Sequence, residues 1–472
     1  MDHADIERAV TLAGLSLPAG ADFEVIGDEP ILASPHYLGT GAAAARLLTG
    51  LAAAELWRLR TGRLQRVVVD ARHAAASLRS YQYARPVSEP EQTLESLAAR
   101  TGTSARLRIT RIVAARGRRF VQLHGSFHDT PSVLDELGLD ESATTEEIDA
   151  AVAGRDAFEL EAAFVARRIC GGVVRSKEEW AAHPQGRAIA GLPAVTVTKI
   201  ADAPPIALPD GDRPTAGVRV LDLTRVLAGP TCAKTLAEHG ADVLHVSAPH
   251  LEGGGPFEME TGIGKRQAAL DLDDPEQAAT LVGLIAGADV FSQGYRLGSL
   301  DRRGLSPAQV ATVRPGIVYV SENCYGHVGP WAHRPGWEQL GQAATGMSYR
   351  EGRDGPDGVP RLAPAAVNDY STGFLAAYGA MMALARRATE GGSWHVQVSL
   401  CQTCMWYQRL GDGNDAAAAH LGDVEPFTAV MDTDDFGTIR YLTPAVHMSE
   451  TPTRWTLPPA RIGAHEPVWL AR

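Results

Sequence analysis

The hydrophobic pattern of residues 217–246 predicts a βαβ unit. A first apolar run ending at Leu223 is typical of a buried strand, and a second run covers Val243–Val246. Between them, the spacing of apolar residues predicts a helix over Thr231–His239. Ligands of parallel sheets usually bind beyond the carboxyl ends of the strands, so the small-residue turn Leu227–Pro230 is the expected binding position. The unit has no G-x-G-x-x-G pattern and therefore no dinucleotide fingerprint.

A long alanine-rich helical pattern occurs twice in the chain. Residues 41–60 carry it first, and a Val-rich strand pattern follows at residues 66–70. Residues 373–400 repeat the order of long helix, Gly-bearing turn and Val-rich strand. The tripeptide Pro-Ala-Val also recurs, at residues 193–195 and 444–446. These echoes predict an internal duplication, with convergent composition in an alanine-rich chain as the alternative explanation.

The repeat suggests a division of the chain into two halves. Residues 1–205 form the predicted N-terminal half, with a long helix, a strand and a small α+β domain. That domain is predicted from an alternating, strand-like pattern over residues 106–139 and the helical patterns that follow it. The Pro-rich residues 206–216 are interpreted as a linker, and residues 217–472 as a Rossmann-like half with a C-terminal tail. The expected fold class is α/β, with a parallel sheet flanked by helices and a smaller α+β domain.

The composition argues against several classes of partner. Among the 472 residues, 45% are hydrophobic and 21% charged, and the net charge of −12 argues against a nucleic-acid or anionic membrane surface. No apolar run reaches the roughly 18–20 residues of a membrane helix, and residues 1–10 lack a signal-peptide layout. Five cysteines indicate a reducing compartment, so a cytoplasmic protein is expected. The Cys401-x-x-Cys404 pattern is interpreted as buried helical thiols and not as a metal site.

Several short motifs follow one another along the second half of the chain. They are Val220–Thr224 with Ala228–Pro230, Gly264-Lys265-Arg266, Ala288–Val290, Tyr295–Gly304, and Asn368-Asp369 before Thr372-Gly373. In this order they resemble the family III CoA-transferases, the group that includes formyl-CoA transferase and carnitine CoA-transferase. The resemblance is densest from about Gly217 to Gln402. It implies a Rossmann-like fold and interlaced dimers, here in an apparently duplicated and trimmed form.

Asp369 is the candidate catalytic nucleophile. From the sequence alone, an Asp before a helix is equally well explained as an N-terminal cap. The resemblance places Asp369 at the position of the family's nucleophile. A carboxylate suits CoA transfer because its attack on a thioester gives a mixed anhydride and then an aspartyl-CoA thioester. Gly391-Gly392, or the helix start after Asp369, are candidate backbone donors for the oxyanions of these steps.

The first half has no carboxylate at the equivalent place. Counting back from Thr40-Gly41, as from Thr372-Gly373, puts Tyr37 opposite Asp369. One chemical site per chain is therefore expected, with the first half supporting it structurally.

Trp337 and Glu338 form the second candidate pair. The resemblance implies an aromatic–acid pair at this position, and Glu338 matches the acid. The related α-methylacyl-CoA racemases carry His where this chain has Trp337, and there His and the Asp exchange an α-proton. Trp cannot accept or deliver a proton at neutral pH, so racemisation is disfavoured unless another His substitutes.

Binding of CoA requires cations for its phosphates and a surface for its pantetheine and adenine. The resemblance implies the binding positions Leu227, Ala228, Lys265, Arg266, Tyr295 and Arg302. Arg binds phosphate bidentately and Lys acts as a point charge, whereas a solvated basic turn is the alternative for the Lys-Arg pair. A Gln of formyl-CoA transferase matches Leu227, so the apolar side chain argues against oxalate or formate and for a bulkier acyl group. No metal and no tightly bound cofactor is implied, because CoA and acyl-CoA are substrates.

The sequence thus predicts a CoA-transferase of the EC 2.8.3 type. It moves CoA between an acyl-CoA and a small free carboxylic acid through anhydride and thioester intermediates on Asp369. Two alternatives stay open: an acyl-CoA racemase or lyase on the same scaffold, and a non-catalytic CoA-binding protein. Solvent deuterium exchange at the α-carbon identifies the first, and binding of acyl-CoA without turnover the second. Neither nucleic acid nor membrane is an expected partner, and a homodimer interlaced as in the family is considered.

Overall fold

The computed structural model describes residues 1–18, 20–89, 96, 104–125, 130–251, 257–353 and 357–471. In chain order the helices are α1 (His3–Leu12), α2 (Leu38–Thr61), α3 (Ala71–Ser77), α4 (Ser80–Tyr83), α5 (Ser104–Ile109), α6 (Thr130–Leu137), α7 (Thr145–Ala153), α8 (Ala157–Arg167), α9 (Lys177–Ala182), α10 (Pro184–Ile189), α11 (Ala228–Glu238), α12 (Glu258–Gly262), α13 (Pro275–Gly287), α14 (Pro307–Val313), α15 (Glu338–Thr345), α16 (Met347–Arg353), α17 (Val367–Glu390) and α18 (Leu400–Leu410).

The strands are β1 (Phe23–Ile26), β2 (Val67–Asp70), β3 (Arg85–Pro86), β4 (Ile112–Ala115), β5 (Arg119–Leu123), β6 (Gly171–Val173), β7 (Val195–Ala201), β8 (Arg219–Asp222), β9 (Asp242–Ser247), β10 (Arg266–Ala269), β11 (Val290–Gln293), β12 (Val318–Asn323), β13 (Ser393–Ser399), β14 (Thr428–Thr433), β15 (Gly437–Leu442) and β16 (Val446–Met448). Within the described ranges, every helix is too short or too polar to cross a membrane.

The largest sheet has seven strands in the order β10-β9-β8-β11-β12-β13-β7. Its first six strands pair in parallel, and β7 joins the edge antiparallel to β13. Numbered from β8, the parallel strands follow the order 3-2-1-4-5-6 of a doubly wound sheet. The predicted α/β class, with a mostly parallel sheet flanked by helices, is confirmed. The strand order reverses between β8 and β11, and at such a switch point the loops on the carboxyl side separate and leave a crevice.

The predicted βαβ unit is present, but its helix begins three residues early. Helix α11 starts at Ala228, whereas the sequence pattern placed the start at Thr231. Pro230 lies in the first turn of α11, where a missing backbone N–H costs no intrahelical bond. Proline is as typical of a turn as of a first helical turn, and for this reason the sequence pattern predicts a shorter helix.

A smaller α+β unit lies between the two long helices in the sequence. Strands β4, β5 and β6 form an antiparallel sheet that packs with α5 to α8 around its own apolar core. The alternating pattern over residues 106–139 predicts a few strands; residues 126–129 of this stretch lie outside the described residues. The structure has strands at 112–123, broken by one turn, but helices at 104–109 and 130–137. Apolar residues of α5 and α6 face the same small core as those of the strands. The alternating pattern alone therefore does not distinguish these helices from strands.

Helices α2 and α17 are two matching elements of 24 residues each. The thirteenth residue is glycine in both, Gly50 and Gly379. A Cβ at Gly50 would approach Val67 of β2 and Val446 of β16, and a Cβ at Gly379 would approach Val396 of β13 and Val195 of β7. Each long helix therefore packs closely on the strand that follows it and on one antiparallel neighbour.

The antiparallel neighbours are exchanged between the halves of the chain. Strand β7, from the first half, pairs with β13, and β16, from the second half, pairs with β2. The registers correspond, with Val398↔Val195 in one pair and Val69↔Val446 in the other. Residues 202–218, all of them described, contain no helix or strand, and this is where the chain crosses from one half to the other.

Candidate active site

A cavity of about 270 Å³ opens at the carboxyl ends of β8, β11 and β12. Its walls come from the turn after β8 (Arg225–Ala228), the loop after β11 (Gly294–Arg296), the end of β12 (Glu322–Cys324), Trp337 and Asp369. This is the crevice that the topology of the sheet creates. The structure thus brings together five of the nine sequence-predicted site residues: Leu227, Ala228, Tyr295, Trp337 and Asp369.

Asp369 is the third residue of α17 and lines the cavity. Ala366 occupies the N-cap position of this helix, so the carboxylate of Asp369 is not its cap. Burial raises the pKa of Asp369 to about 7, and a hydrogen bond donated by Glu338 opposes this rise. A carboxylate that is poorly solvated and partly ionised near neutral pH is a suitable nucleophile.

Glu338, the first residue of α15, lies buried behind Asp369. Its Oε1 accepts hydrogen bonds from the Asn368 backbone N–H at 3.2 Å and from Gln342 Nε2 at 3.1 Å. Burial, together with the negative charge of Asp369, raises the pKa of Glu338 well above its ordinary value. The raised pKa favours the protonated form of Glu338, which donates its proton in the hydrogen bond to Asp369, as expected when two carboxyl groups share one site.

The turn after β8 presents the amino end of α11 to the cavity. Val226 has a φ of 71°, a left-handed conformation that a β-branched side chain adopts only under strain. Leu227 is the N-cap residue and makes no side-chain capping bond. The first backbone amides and the positive end of the helix dipole therefore face the cavity, an arrangement that favours developing negative charge.

Trp337 is held against the cavity by stacking. Its ring lies 5.7 Å from that of His124, with an angle of 10° between the ring planes. His124 Nε2 lies 3.2 Å from Gln339 Oε1. Because His124 lies behind Trp337 and is absent from the residues that line the cavity, the aromatic wall separates this imidazole from the reaction space.

Lys265 and Arg266 lie apart from this cavity. Lys265 is buried, and its Nζ bonds Asp222 Oδ2 at 2.9 Å and the Pro230 carbonyl at 2.8 Å. Arg266 pairs with Asp242 of the neighbouring strand. In this structure both cations are engaged by protein groups. Arg302 faces a second cavity of about 420 Å³, which it lines together with residues that include Arg168 and His333.

The expected donor Gly391-Gly392 is also remote from Asp369. Gly391 follows the last residue of α17, whereas Asp369 is the third residue of this helix. Because a helix rises about 1.5 Å per residue, Gly391 and Asp369 lie about 33 Å apart along the helix axis. The expectation is wrong because a glycine pair after a helix serves as its C-terminal cap, with φ of 70° at Gly391.

Glu322 is a cavity residue that the sequence reasoning missed. It is the fifth residue of β12 and lines the cavity near Asp369. A polar residue at the carboxyl end of the apolar run 317–320 was the available signal, because catalytic groups gather at such strand ends. Without the strand order, nothing in the sequence showed that β12 lies beside the switch point.

The cysteines form no metal centre in the described part of the chain. All five are free and buried. Cys401 and Cys404 lie on α18, and no group of three His, Cys, Asp or Glu side chains among the described residues has the arrangement of a metal site. The structure thus places both thiols as the sequence interpretation expected, inside a packed helix.

Comparisons with known proteins point to one family. Residues 215–420 match the family model described as CoA-transferase family III. An acyl-CoA transferase from Gibberella moniliformis is 38% identical over 300 residues, which cover 59% of this chain and 52% of that protein. The acetyl-coenzyme A transferase nodX from Hypoxylon pulicicidum is 34% identical over 324 residues, which cover 64% of this chain and 54% of that protein.

A solved structure, a CAIB/BAIF family protein from Brucella suis, is 27% identical with a TM-score of 0.38, over 48% of this chain and 65% of that one. The chain spans about half the length of the curated relatives that it matches. Through residues 215–420 the chain is similar to CoA-transferase family III. The family expected from the motifs is confirmed, and the internal duplication stays a prediction.

Proposed function

We propose that this protein is an enzyme that transfers CoA between an acyl-CoA and a free carboxylic acid, with Asp369 as the nucleophile. The observation that carries the proposal is the hydrogen-bonded pair of Asp369 and Glu338 at the cavity beside the amino end of α11. The relatives named as acyl-CoA and acetyl-CoA transferases support the same chemistry.

The proposed reaction begins when Asp369 attacks the thioester carbonyl. The C–O bond forms and gives a tetrahedral oxyanion; its collapse breaks the C–S bond and leaves an acyl-aspartyl anhydride and CoA thiolate. The thiolate attacks the aspartyl carbonyl, releases the donor acid and leaves an aspartyl-CoA thioester. An acceptor carboxylate then reverses both steps. Covalent catalysis of this kind keeps the thioester energy away from water.

Glu338 has a positioning role in this scheme. Its proton bonds one oxygen of Asp369, which leaves the other oxygen directed towards the cavity. The bond also stabilises the ionised form of Asp369, as the opposing effects on the pKa of Asp369 indicate. Neither oxygen of Glu338 contacts the cavity, so we assign it no contact with substrate.

The CoA chain is proposed to enter past Tyr295 towards the second cavity. Tyr295 lines the reaction cavity, and Arg302 lines its neighbour, where Arg168 adds a second guanidinium. Two guanidinium groups suit the phosphates of CoA. Leu227 and Ala228, beside Asp369, then face the thioester. Lys265 and Arg266 support this site by fixing the turn and the strands, while direct phosphate contact by either requires a rearrangement of their ion pairs.

Racemisation is the alternative on the same scaffold. The related racemases use a His as their second acid–base group, and at that position this chain has Trp337, whose ring lines the cavity with His124 stacked on it. The indole N–H does not titrate at neutral pH. No observation favours a binding role without turnover. We therefore propose transfer, and an α-proton exchange assay in deuterated water separates it from racemisation.

The test is intact mass spectrometry after brief incubation with acetyl-CoA and succinyl-CoA as probes. We expect an acyl or CoA adduct on the Asp369 peptide of the wild-type protein. Asp369→Ala should form no adduct and lose at least about 10³-fold in transfer rate, because the nucleophile is gone. Thr40→Ala, at the same position of the matching helix α2, is the control and should retain the adduct. A transferase-active Asp369→Ala protein would refute the proposal.

A further inference from the structure

Glu322 is held in a narrow place between two chain turns at the reaction cavity. A Cβ at Gly229, in the first turn of α11, would lie 2.9 Å from Glu322 Oε2, and a Cβ at Gly294, after β11, would lie 3.4 Å from it. The Gly229 backbone N–H also donates a hydrogen bond to this carboxyl group. The carboxyl group is therefore fixed at the switch point of the sheet, on the cavity wall that also includes Asp369.

The groups that face Glu322 are mostly acidic. Asp369 comes from α17, Asp222 from the end of β8 and Cys232 from α11. Asp222 is already paired with Lys265, while Arg225, Tyr295 and Arg296 line the same cavity. Three carboxyl groups, those of Asp369, Glu338 and Glu322, thus meet at one poorly solvated site. Only one of them must be ionised for nucleophilic attack, and mutual repulsion keeps protons on the others.

The electrostatics agree with this arrangement. Burial, then the charges of Asp369 and Asp222, raise the pKa of Glu322 to about 8 against the opposing Gly229 hydrogen bond. At pH 7 Glu322 is therefore a neutral acid, a hydrogen-bond donor where an ionised Glu accepts only. A carboxyl group kept neutral in this way is a known means of stabilising developing negative charge.

We propose that Glu322 is a further catalytic residue, which donates a hydrogen bond to the acyl carbonyl oxygen while Asp369 attacks the thioester. The inference rests on the proposed CoA transfer. As the C–O bond forms, the carbonyl π-electrons move to oxygen, and the Glu322 hydroxyl stabilises the oxyanion without giving up its proton. When the oxyanion collapses, the electrons return, the C–S bond breaks and CoA leaves as the thiolate. Leu227 has no side-chain donor, so Glu322 adds its hydrogen bond to those that the backbone amides at the amino end of α11 offer.

Two substitutions test the role of Glu322. Glu322→Gln retains a donor of the same shape but cannot ionise, and Glu322→Leu removes the donor. We measure the rate of adduct formation on Asp369 with acetyl-CoA and succinyl-CoA by quenched-flow mass spectrometry from pH 6 to 9.5. The wild-type rate should fall as pH rises through about 8, because the donor becomes an anion. Glu322→Gln should stay within about tenfold and lose this alkaline fall, and Glu322→Leu should lose about 10²–10³-fold.

The controls separate this inference from the proposal that it rests on. Glu351→Gln is the matched control, because burial also raises the pKa of Glu351, to about 7. Glu351 accepts a hydrogen bond from Ser34 and does not line the cavity, so this substitution should leave the rate unchanged. Thermal unfolding and CoA binding confirm that each variant is folded. No adduct on wild-type Asp369 overturns the transfer proposal itself. A wild-type adduct with equal rates in Glu322→Leu overturns the role of Glu322 alone. A Glu322→Gln rate as low as that of Glu322→Leu overturns it as well, because the residue would then act as an anion.

Discussion

Asp369 depends on its surroundings for its chemistry. A solvated aspartate is fully ionised at neutral pH and is a weak nucleophile, because water stabilises its charge. Here burial disfavours the charge, while the Glu338 proton restores part of it. The two effects leave a carboxylate that ionises near neutral pH and is exposed to the cavity on one side. The protonation of this proposed nucleophile thus depends on burial and also on a neighbour that does not line the cavity.

Glu338 substitutions should shift the pH dependence of activity. Glu338→Leu removes the proton that lowers the pKa of Asp369, so this pKa rises and ionisation requires more alkaline conditions. The acid limb of the pH profile of kcat/KM, expected near pH 7, should move upward by about one unit, with about a tenfold loss at pH 6.5. Glu338→Gln retains a donor and should leave the limb in place. An unchanged limb in a folded Glu338→Leu protein would contradict the positioning role.

The sequence could predict the pair but not the whole site. Asp369 and Glu338 stand in motifs whose order resembles a known family, so both were expected. Glu322 carries no motif, and its place beside Asp369 depends on the order of strands that are distant in sequence. The Lys265-Arg266 dipeptide shows a different limit of prediction from sequence: the residues are recognised but their partners are not. Its charge is visible in the sequence, whereas its partners Asp222 and Asp242 come from strands that precede it.

The close contact of α11 and α17 brings the two sides of the site together. Gly373, one turn after Asp369, packs so closely that a Cβ there would meet the Ala228 carbonyl and the Thr231 side chain. The absence of a side chain at this position lets α17 approach the amino end of α11. The helix that carries the proposed nucleophile and the helix whose amino end lines the cavity are thereby held at a fixed separation.

Gly373→Ala should separate these helices and impair the site. Overpacking of this kind costs about 1–3 kcal/mol of unfolding free energy, measured by chemical denaturation. Transfer activity should fall by more than the unfolded fraction explains, because a shift of Asp369 by a fraction of an ångström disturbs attack. Gly283→Ala is the matched control, since Gly283 lies exposed within α13 with open space around it. It should be neutral or stabilising by up to about 1 kcal/mol. Full activity in Gly373→Ala would show that the spacing is not critical.

At the level of elements, long periodic patterns were predicted well and their ends less well. The alanine-rich pattern of residues 41–60 corresponds to α2, and the Val-rich patterns correspond to β2 and β13. The start of α11 was misplaced because Pro230 signals a turn as readily as a first helical turn. The edge position of β7 could not be inferred from its residues, since its partner β13 follows almost 200 residues later in the chain.

The halves of the molecule are related by a pseudo-symmetric exchange of strands. Position by position, the third residue of α17 is Asp369 and that of α2 is Thr40. The structure therefore places Thr40, and not Tyr37, opposite Asp369, because the Thr-Gly pairs used for counting lie at different positions of the two helices. Thr40 bonds Glu29 through its N–H at 2.8 Å. The first half lacks a carboxylate nucleophile at this position, in agreement with the proposal of one chemical site.

The exchange supports a proposed origin by duplication. In each half a 24-residue helix leads into a strand, and a glycine at the same helical position contacts the strand pair. We propose that the exchange is the counterpart, within one chain, of the interlaced dimers that the family resemblance implies. Buried charges also join the halves, since Arg46 of α2 bonds Glu238 of α11 at 2.6 Å. Loss of one partner would leave the other charge buried and uncompensated, which is costly. We therefore expect the two halves to be stable only when they are packed together.

Cutting the chain between its halves should therefore leave the protein assembled. Residues 210–212 are exposed and belong to no helix or strand, so a protease site inserted after Asp210 should be tolerated. After cleavage, the two fragments should elute together in gel filtration and keep adduct formation on Asp369. They are held by β7 on β13, by β16 on β2 and by the packing of α2 on α17, and separation requires all three contacts to break. Fragments should separate in denaturant, with the uncut insertion variant as the control. Fragments that part in native buffer would show that the exchanged strands contribute little, and the chain would then consist of two halves joined mainly by the linker.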